Sequence, residues 1–292
     1  MSGHMFPFST VDRLERAAAL DSIAALVQKL ARAAVPSQQL RDAVHGVWLG
    51  HPVHPLMVQV PIGAWLSAGL LDMVPGNDRA TRRLIAAGLI AAGPSALVGA
   101  SDLAEQHEQQ LRVGVVHALA NTVAVLCYSG SLLARVAGRA RGGKALGYAG
   151  LGAVTVGGVL GGHIAYRQAA GANHAEQVPH QIPPGWHELI KFDELPERQS
   201  IQLAVHDVPV MAYRDGEQVH VLADGCSHLA GPLSDGEIVG DGAERCVVCP
   251  WHGSTFRLRD GAVVHGPATA RQPALESRVR AGLVEVCLPG AG

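Results

Sequence analysis

The 292-residue chain is 48% hydrophobic, 16% charged and 4% aromatic, with 15 histidines and a formal net charge of −2. Soluble domains average about 25% charged residues, so the composition disfavours an ordinary soluble protein. Near-zero net charge with high apolar content also excludes a disordered chain and a basic nucleic-acid binder. The length suggests roughly two domains, and five cysteines are too few for a disulfide scaffold. Residues 1–184 hold 14 Lys and Arg against 10 Asp and Glu, whereas residues 185–292 hold 9 against 15. The chain divides into two chemically different halves.

In chain order, residues 1–45 read as an amphipathic N-terminal helical segment. Ser9 with Asp12 supplies a helix start, and Leu20, Ile23, Val27, Leu30 and Ala34 keep to one helical face. Asp21, Lys29 and Arg32 lie off that face, and Pro36 ends the pattern. The segment is too charged for a signal peptide and lacks a cleavage pattern. Two readings stand, a helix packed on its neighbours and a helix lying in a membrane interface.

Residues 46–170 read as a four-helix transmembrane domain. Apolar stretches fall near 53–74, 84–101, 113–134 and 145–166, with Asp72 the one charge inside them. Each has the ~20 residues that cross a ~30 Å hydrocarbon layer. Gly157, Gly158, Gly161 and Gly162 give two small-xxx-small spacings on the fourth stretch, the pattern of closely packed membrane helices. Pro61 and Pro94 fall inside spans, where kinks are tolerated. The bases Arg79, Arg82, Arg83, Arg135, Arg139, Arg141 and Lys144 lie on one side, and only Arg41, Arg112 and Arg167 on the other. The positive-inside rule then puts both termini outside the cytoplasm of a multi-pass cell-membrane protein.

Residues 171–184 (GANHAEQVPHQIPP) form a polar, proline-rich linker. Residues 185–292 read as an antiparallel β domain. Short strand-like runs occupy 187–191, 201–205, 208–213, 218–222, 245–248, 254–258 and 283–288, with turn signals at Asp215-Gly216, Asp260-Gly261 and Ala281-Gly282.

Within the β domain stand Cys226-Ser227-His228 and Cys249-Pro250-Trp251-His252. Two thiolates and two imidazoles suit tetrahedral zinc or a two-iron, two-sulfur cluster. Zinc sites usually pair cysteine with cysteine and histidine with histidine, whereas each loop here mixes one of each. That interleaving suits two irons, because each loop then gives one ligand to each.

The stretch CSHLAGPLSDGEI through CPWHGSTFRLRDGAVVHGPA resembles a Rieske iron–sulfur domain of the ferredoxin type, over roughly residues 186–289. The resemblance implies a 2Fe–2S cluster with Cys226 and Cys249 on one iron and His228 and His252 on the other. Gly266-Pro267 is similar to the family's third, proline-containing loop that shields the cluster. Gly231 and Trp251 stand where members from cytochrome bc complexes carry two further, bridged cysteines, so that bridge is absent. Ser254 matches a serine that donates to cluster sulfur in high-potential members, while Phe256 replaces the accompanying tyrosine. One donor fewer implies a potential between the two subfamilies. Cys246, Cys287 and Cys127 read as core residues.

The GHPVHPLMVQVPIGAWLSAGLLDMV stretch, with a later HALANTVAVL and GGHIAYR, is similar to a bacterial four-helix membrane family of unknown function, over roughly residues 46–170. His51 and His54 begin the first span, His117 lies near the start of the third and His163 near the end of the fourth, all in one leaflet. His54, His117 and His163 are therefore candidates for a haem b or quinone site, against a structural role at helix ends. The expectation is a membrane-bound electron carrier or oxidoreductase subunit, exchanging electrons with a redox protein or quinone. No dinucleotide motif or oxygenating 2-His-1-carboxylate set accompanies it. A redox sensor or anchoring subunit of a larger oxidoreductase or oxygenase complex is the alternative, with a zinc-stabilised module behind it.

Overall fold

The computed structural model describes residues 8–290, with side chains from residue 11 onward, so the cap expected at Ser9 lies outside the described side chains. The helices are α1 (Phe8–Glu15), α2 (Asp21–Ala34), α3 (Gln38–His45), α4 (His54–Met57), α5 (Gln59–Leu71), α6 (Asp78–Ala104), α7 (Glu108–Val136), α8 (Ala140–Gly162) and α9 (Val178–Gln181). The strands are β1 (His187–Lys191), β2 (Ser200–Val205), β3 (Val208–Asp215), β4 (Gln218–Ala223), β5 (Glu237–Val239), β6 (Cys246–Val248), β7 (Thr255–Arg257), β8 (Val263–His265), β9 (Ala274–Arg280) and β10 (Leu283–Cys287). They make two units, a helical one of residues 1–36 and 53–170 and a β one of residues 37–52 and 171–292.

Among the described residues of the first unit, three helices are long and apolar enough to cross a membrane: α6, α7, and α8 with its continuation to Arg167. The expected first span is shorter and broken. Proline at 61 has no N–H to return to Met57, so the helix splits into α4 and the 13-residue α5 around Val58. The long helices turn apolar side chains outward, Ile90 being 77% exposed, and bury Thr81, Ser95 and Ser131 inside. That distribution suits a lipid solvent, where helices gain nothing by hiding leucines and must satisfy polar groups internally.

The α7–α8 seam is built on glycine. A Cβ at Gly150 would lie 2.9 Å from the Tyr128 ring, one at Gly157 2.6 Å from Asn121, and one at Gly161 3.1 Å from His117. Gly158 and Gly162, on the other face, would meet nothing within 4 Å. Across the unit, Trp65 stacks on Tyr128 with ring centroids 4.3 Å apart. At one end of the helices Asp72 pairs with buried Arg135, while Lys144 donates to the Asp72 carbonyl at 2.8 Å. Arg135 therefore spends its charge inside the protein and is a weaker topology signal than its position in the sequence suggests.

The N-terminal helices pack on this bundle. Val11 joins Val113, Leu160 and Ile164, and Ala24 joins Leu103, Leu111 and Val115. Arg112 donates to Asp21 at 2.6 Å and to the Glu15 carbonyl at 2.9 Å. The face that α2 buries is its alanine face, Ala24 and Ala31; Ile23 and Leu30 of the expected stripe are exposed. Small residues allow close approach, which leaves the larger aliphatics outside.

The second unit is all-antiparallel. A six-stranded sheet runs β1-β10-β9-β4-β3-β2 and a four-stranded one β5-β6-β7-β8. The hairpin between β9 and β10 turns on Ala281 (φ 51) and Gly282 (φ 78), the positive-φ pair of a two-residue turn. Strands β5, β8 and β9 have no counterpart among the expected runs. The first two have three residues each, and β9 (ALESRVR) is too charged to alternate cleanly. The linker residues 171–184 group with this unit, with Ala175 and Ile182 buried.

Replacing Gly150 by leucine should overpack the seam and cost about 1–3 kcal/mol, read as a lower melting temperature in detergent. Gly152→Leu, at a position with open space, should leave it unchanged; equal effects of the two would refute the glycine seam.

Candidate metal centre

Two loops carry the cysteine–histidine motifs. The first leaves β4 and runs through residues 224–236; the second, residues 249–254, joins β6 to β7. They close in the same way. Cys226 N–H donates to the Gly231 carbonyl at 2.9 Å and Ala230 N–H returns to Cys226 at 2.7 Å. In the second loop Cys249 N–H donates to the Ser254 carbonyl at 2.8 Å and Gly253 N–H returns to Cys249 at 3.0 Å. Each reversal uses a left-handed residue, Ala230 (φ 59) or Gly253 (φ 75). At alanine that conformation costs about 1–2 kcal/mol.

The closures aim backbone N–H groups at sulfur. Those of His228 and Leu229 point at Cys226, and those of Trp251 and His252 at Cys249. The Cys226 thiol also donates to the Cys249 sulfur, which holds Cys249 below the usual thiol range and raises Cys226, burial adding to that rise. Both cysteines are buried in an apolar cluster with Met211, Leu222, Leu233, Val247 and Phe256. The His228 and His252 rings are half-buried, with centroids 5.0 Å apart and planes at 89°.

The donors thus sort into an inner thiol pair and an outer imidazole pair. Among the described residues no three His, Cys, Asp or Glu side chains converge on one point, as a single ion requires. A binuclear group with one iron for each pair fits this donor set.

Further residues hold the loops. Ser254 is fully buried and its oxygen accepts from Ala268 N–H at 2.9 Å, tying the second loop to Gly266-Pro267-Ala268. Gly231 and Trp251 pack against each other, a Cβ at 231 falling 3.0 Å from the indole, so an aromatic contact occupies the place of the missing cysteine bridge. Trp251 stays half exposed beside His252.

Sequence reasoning missed Gln272. Its Oε1 accepts from Ser227 N–H at 2.9 Å, and its Nε2 donates to the Ala223 and Gly225 carbonyls at 2.7 and 2.8 Å. The one signal was its place six residues after Gly266, in a run otherwise read as loop. Gly261 permits its approach, since a Cβ there would lie 1.9 Å from the Gln272 carbonyl. Cys246 is buried in β6, its thiol donating to the Glu244 carbonyl at 3.2 Å and raised in pKa by burial. Cys287 is likewise buried. Both sit in the core and outside the donor set.

In the helical unit, His117 Nδ1 donates to the Gly157 carbonyl at 2.8 Å, so its Nε2 carries the lone pair and accepts from Asn121 at 3.1 Å. The Nδ1 bond crosses from α7 to α8, and the Nε2 bond stays within α7. His54 donates from Nδ1 to the Ser95 carbonyl at 3.1 Å, its ring 6.4 Å from that of His117. His163 donates from Nε2 to Glu15 at 2.6 Å, joining α1 to the end of α8. The structure brings His54 and His117 together and pairs His163 with a carboxylate that Gln168 also bonds.

Residues 185–279 match the Rieske 2Fe–2S domain family, and residues 50–174 match the family described as predicted membrane protein, DUF2231. The anthranilate 1,2-dioxygenase ferredoxin subunit of Burkholderia cepacia is 34% identical over 101 residues, 35% of this chain and 90% of that protein. Ferredoxin CarAc of Metapseudomonas resinovorans is 35% identical over 78 residues, 27% of this chain and 69% of that protein. Among solved structures, the ferredoxin of carbazole 1,9a-dioxygenase from Nocardioides aromaticivorans IC177 is 24% identical, covers 35% of this chain and 97% of its own, and has a TM-score of 0.33. The chain belongs to the Rieske 2Fe–2S family and carries a DUF2231 domain ahead of its Rieske domain.

Gln272→Ala leaves buried partners of three hydrogen bonds unmet, at about 1–3 kcal/mol for each group so stranded. Iron loss to a chelator should accelerate several-fold in this variant, and an unchanged rate would remove Gln272 from the support of the first loop.

Proposed function

We propose that this protein is a membrane-bound one-electron carrier whose Rieske domain serves a redox protein partner. The observation that carries the reading is the pairwise arrangement of donors on two loops of matching closure. Cys226 and Cys249 would hold one iron and His228 and His252 the other. When bound, the cluster supplies one-electron exchange at an iron–sulfur centre. The residues supply the rest. The N–H groups of His228, Leu229, Trp251 and His252 face sulfur and favour its negative charge. The Ser254 hydroxyl, its oxygen held by Ala268, keeps its proton to donate, while Phe256 lies in the same core with none. The imidazole pair, less buried than the thiols and flanked by exposed Trp251, is the face for a docking partner. The likeness to a dioxygenase ferredoxin subunit supports an oxygenase component as that partner.

The helical unit is the anchor. We read α4–α5 as a fourth, kinked crossing beside the three long helices, which returns both termini to one side. Arg79, Arg82, Arg83, Arg139, Arg141 and Lys144 put that side outside the cytoplasm. Glu15 and Asp21, bonded to His163 and Arg112, hold the N-terminal helices to the bundle.

A redox titration followed by EPR tests the assignment. The dithionite-reduced protein should give the rhombic signal of a mixed Cys/His two-iron cluster, absent from Cys226→Ser and His252→Ala and intact in Cys246→Ser. Phe256→Tyr should raise the midpoint potential by restoring a donor. A signal that survives His252→Ala, or disappears in Cys246→Ser, contradicts the ligand set.

A further inference from the structure

Residues 37–52 lie outside the family-matched stretch of the Rieske domain, yet they fold with the β unit. After Pro36, Ser37 caps α3 by accepting from Leu40 N–H at 3.3 Å, and Gly46 (φ 92) ends it with its N–H returned to Asp42. The short helix offers Asp42 to the loop that follows β8. One oxygen of its carboxylate accepts from Gly266 N–H at 2.9 Å and from Gln38 at 2.8 Å. The other accepts from His265 Nδ1 at 2.9 Å. Glycine at 266 eases the approach, since a Cβ there would fall 3.1 Å from the Val47 side chain. Ala268, two residues on, is tied to Ser254 of the second ligand loop. The Gly266-Pro267-Ala268 loop is therefore pinned at one end by the ligand loops and at the other by a carboxylate 224 residues away in sequence.

We propose that Asp42 is a positioning residue for the cluster: it holds the proline loop in place and sets a fixed negative charge beside it, so that the 37–52 segment lowers the reduction potential. This rests on the Rieske assignment above. A carboxylate with 19% of its side chain exposed is screened less than a surface one, and its charge opposes the arrival of an electron nearby. Of the groups that bond to it, His265 is the titratable one, and Gln38 and Gly266 are neutral.

The test is a redox titration of the full-length protein with EPR detection and chelator-driven iron loss. Asp42→Asn should raise the midpoint potential, and Asp42→Ala should raise it and release iron several-fold faster. Asp42→Glu should behave as the parent, as should Asp241→Asn, which removes a fully exposed charge. Parental potential and iron loss in both Asp42→Asn and Asp42→Ala overturn the proposal. If those two variants retain no cluster, Asp42→Glu decides: a cluster of parental potential supports positioning, and loss of the cluster there too overturns it. Absence of a mixed Cys/His signal from the parent protein is the failure of the cluster assignment and not of Asp42's part in it.

Discussion

Two thiols buried in an apolar core are the constraint on which the β unit depends. Each must meet enough N–H groups to carry negative charge, and backbone in the ordinary β conformation does not aim several N–H groups at one point. The protein meets this twice with the same device. A six-residue loop is closed by its first N–H, reversed at a left-handed fifth residue, and directs the N–H groups two and three positions beyond the cysteine at the sulfur. The strands around it serve that end. β6 and β7 deliver the second loop as a hairpin, β4 delivers the first, and Gln272 fastens the first loop from the chain leading into β9.

The helical unit rests on different contacts. Its interior is held by close approach and local polar bonds, with glycine opposite Tyr128, Asn121 and His117 and a buried Asp72–Arg135 pair. The histidines that stand out in the sequence take part in this. His117 bridges α7 to a carbonyl of α8, and His163 bonds α1 through Glu15. Each of these two imidazoles thereby connects two helices.

Much of this was legible in the sequence, for identifiable reasons. The two cysteine–histidine loops were readable because a mixed C-x-H and C-x-x-H pair has few other uses, and the two-residue turn at Ala281-Gly282 because glycine and its neighbour announce positive φ. The three long apolar helices were readable from length and hydropathy alone. Other features depend on distant partners that no local pattern records. Pro61 cuts the first apolar stretch, and whether a proline kinks or ends a helix is decided by its surroundings. The inward face of α2 is its alanine face because the neighbouring helices come close, whereas hydropathy pointed to Ile23 and Leu30. The segment around Asp42 reads as the tail of an N-terminal helix; its contact with Gly266 joins residues far apart in the chain. Gln272 is silent for the same reason, a lone glutamine whose three partners are backbone groups.

The central claim is that the two imidazoles hold one iron and the two thiols the other. Pulsed EPR hyperfine spectroscopy of the dithionite-reduced protein, grown with and without nitrogen-15 histidine, reads this directly. The account predicts two directly coordinated histidine nitrogens coupled to the reduced iron, both changing with the label. A reduced cluster without label-sensitive nitrogen coupling, or with a single coupled histidine, would contradict it.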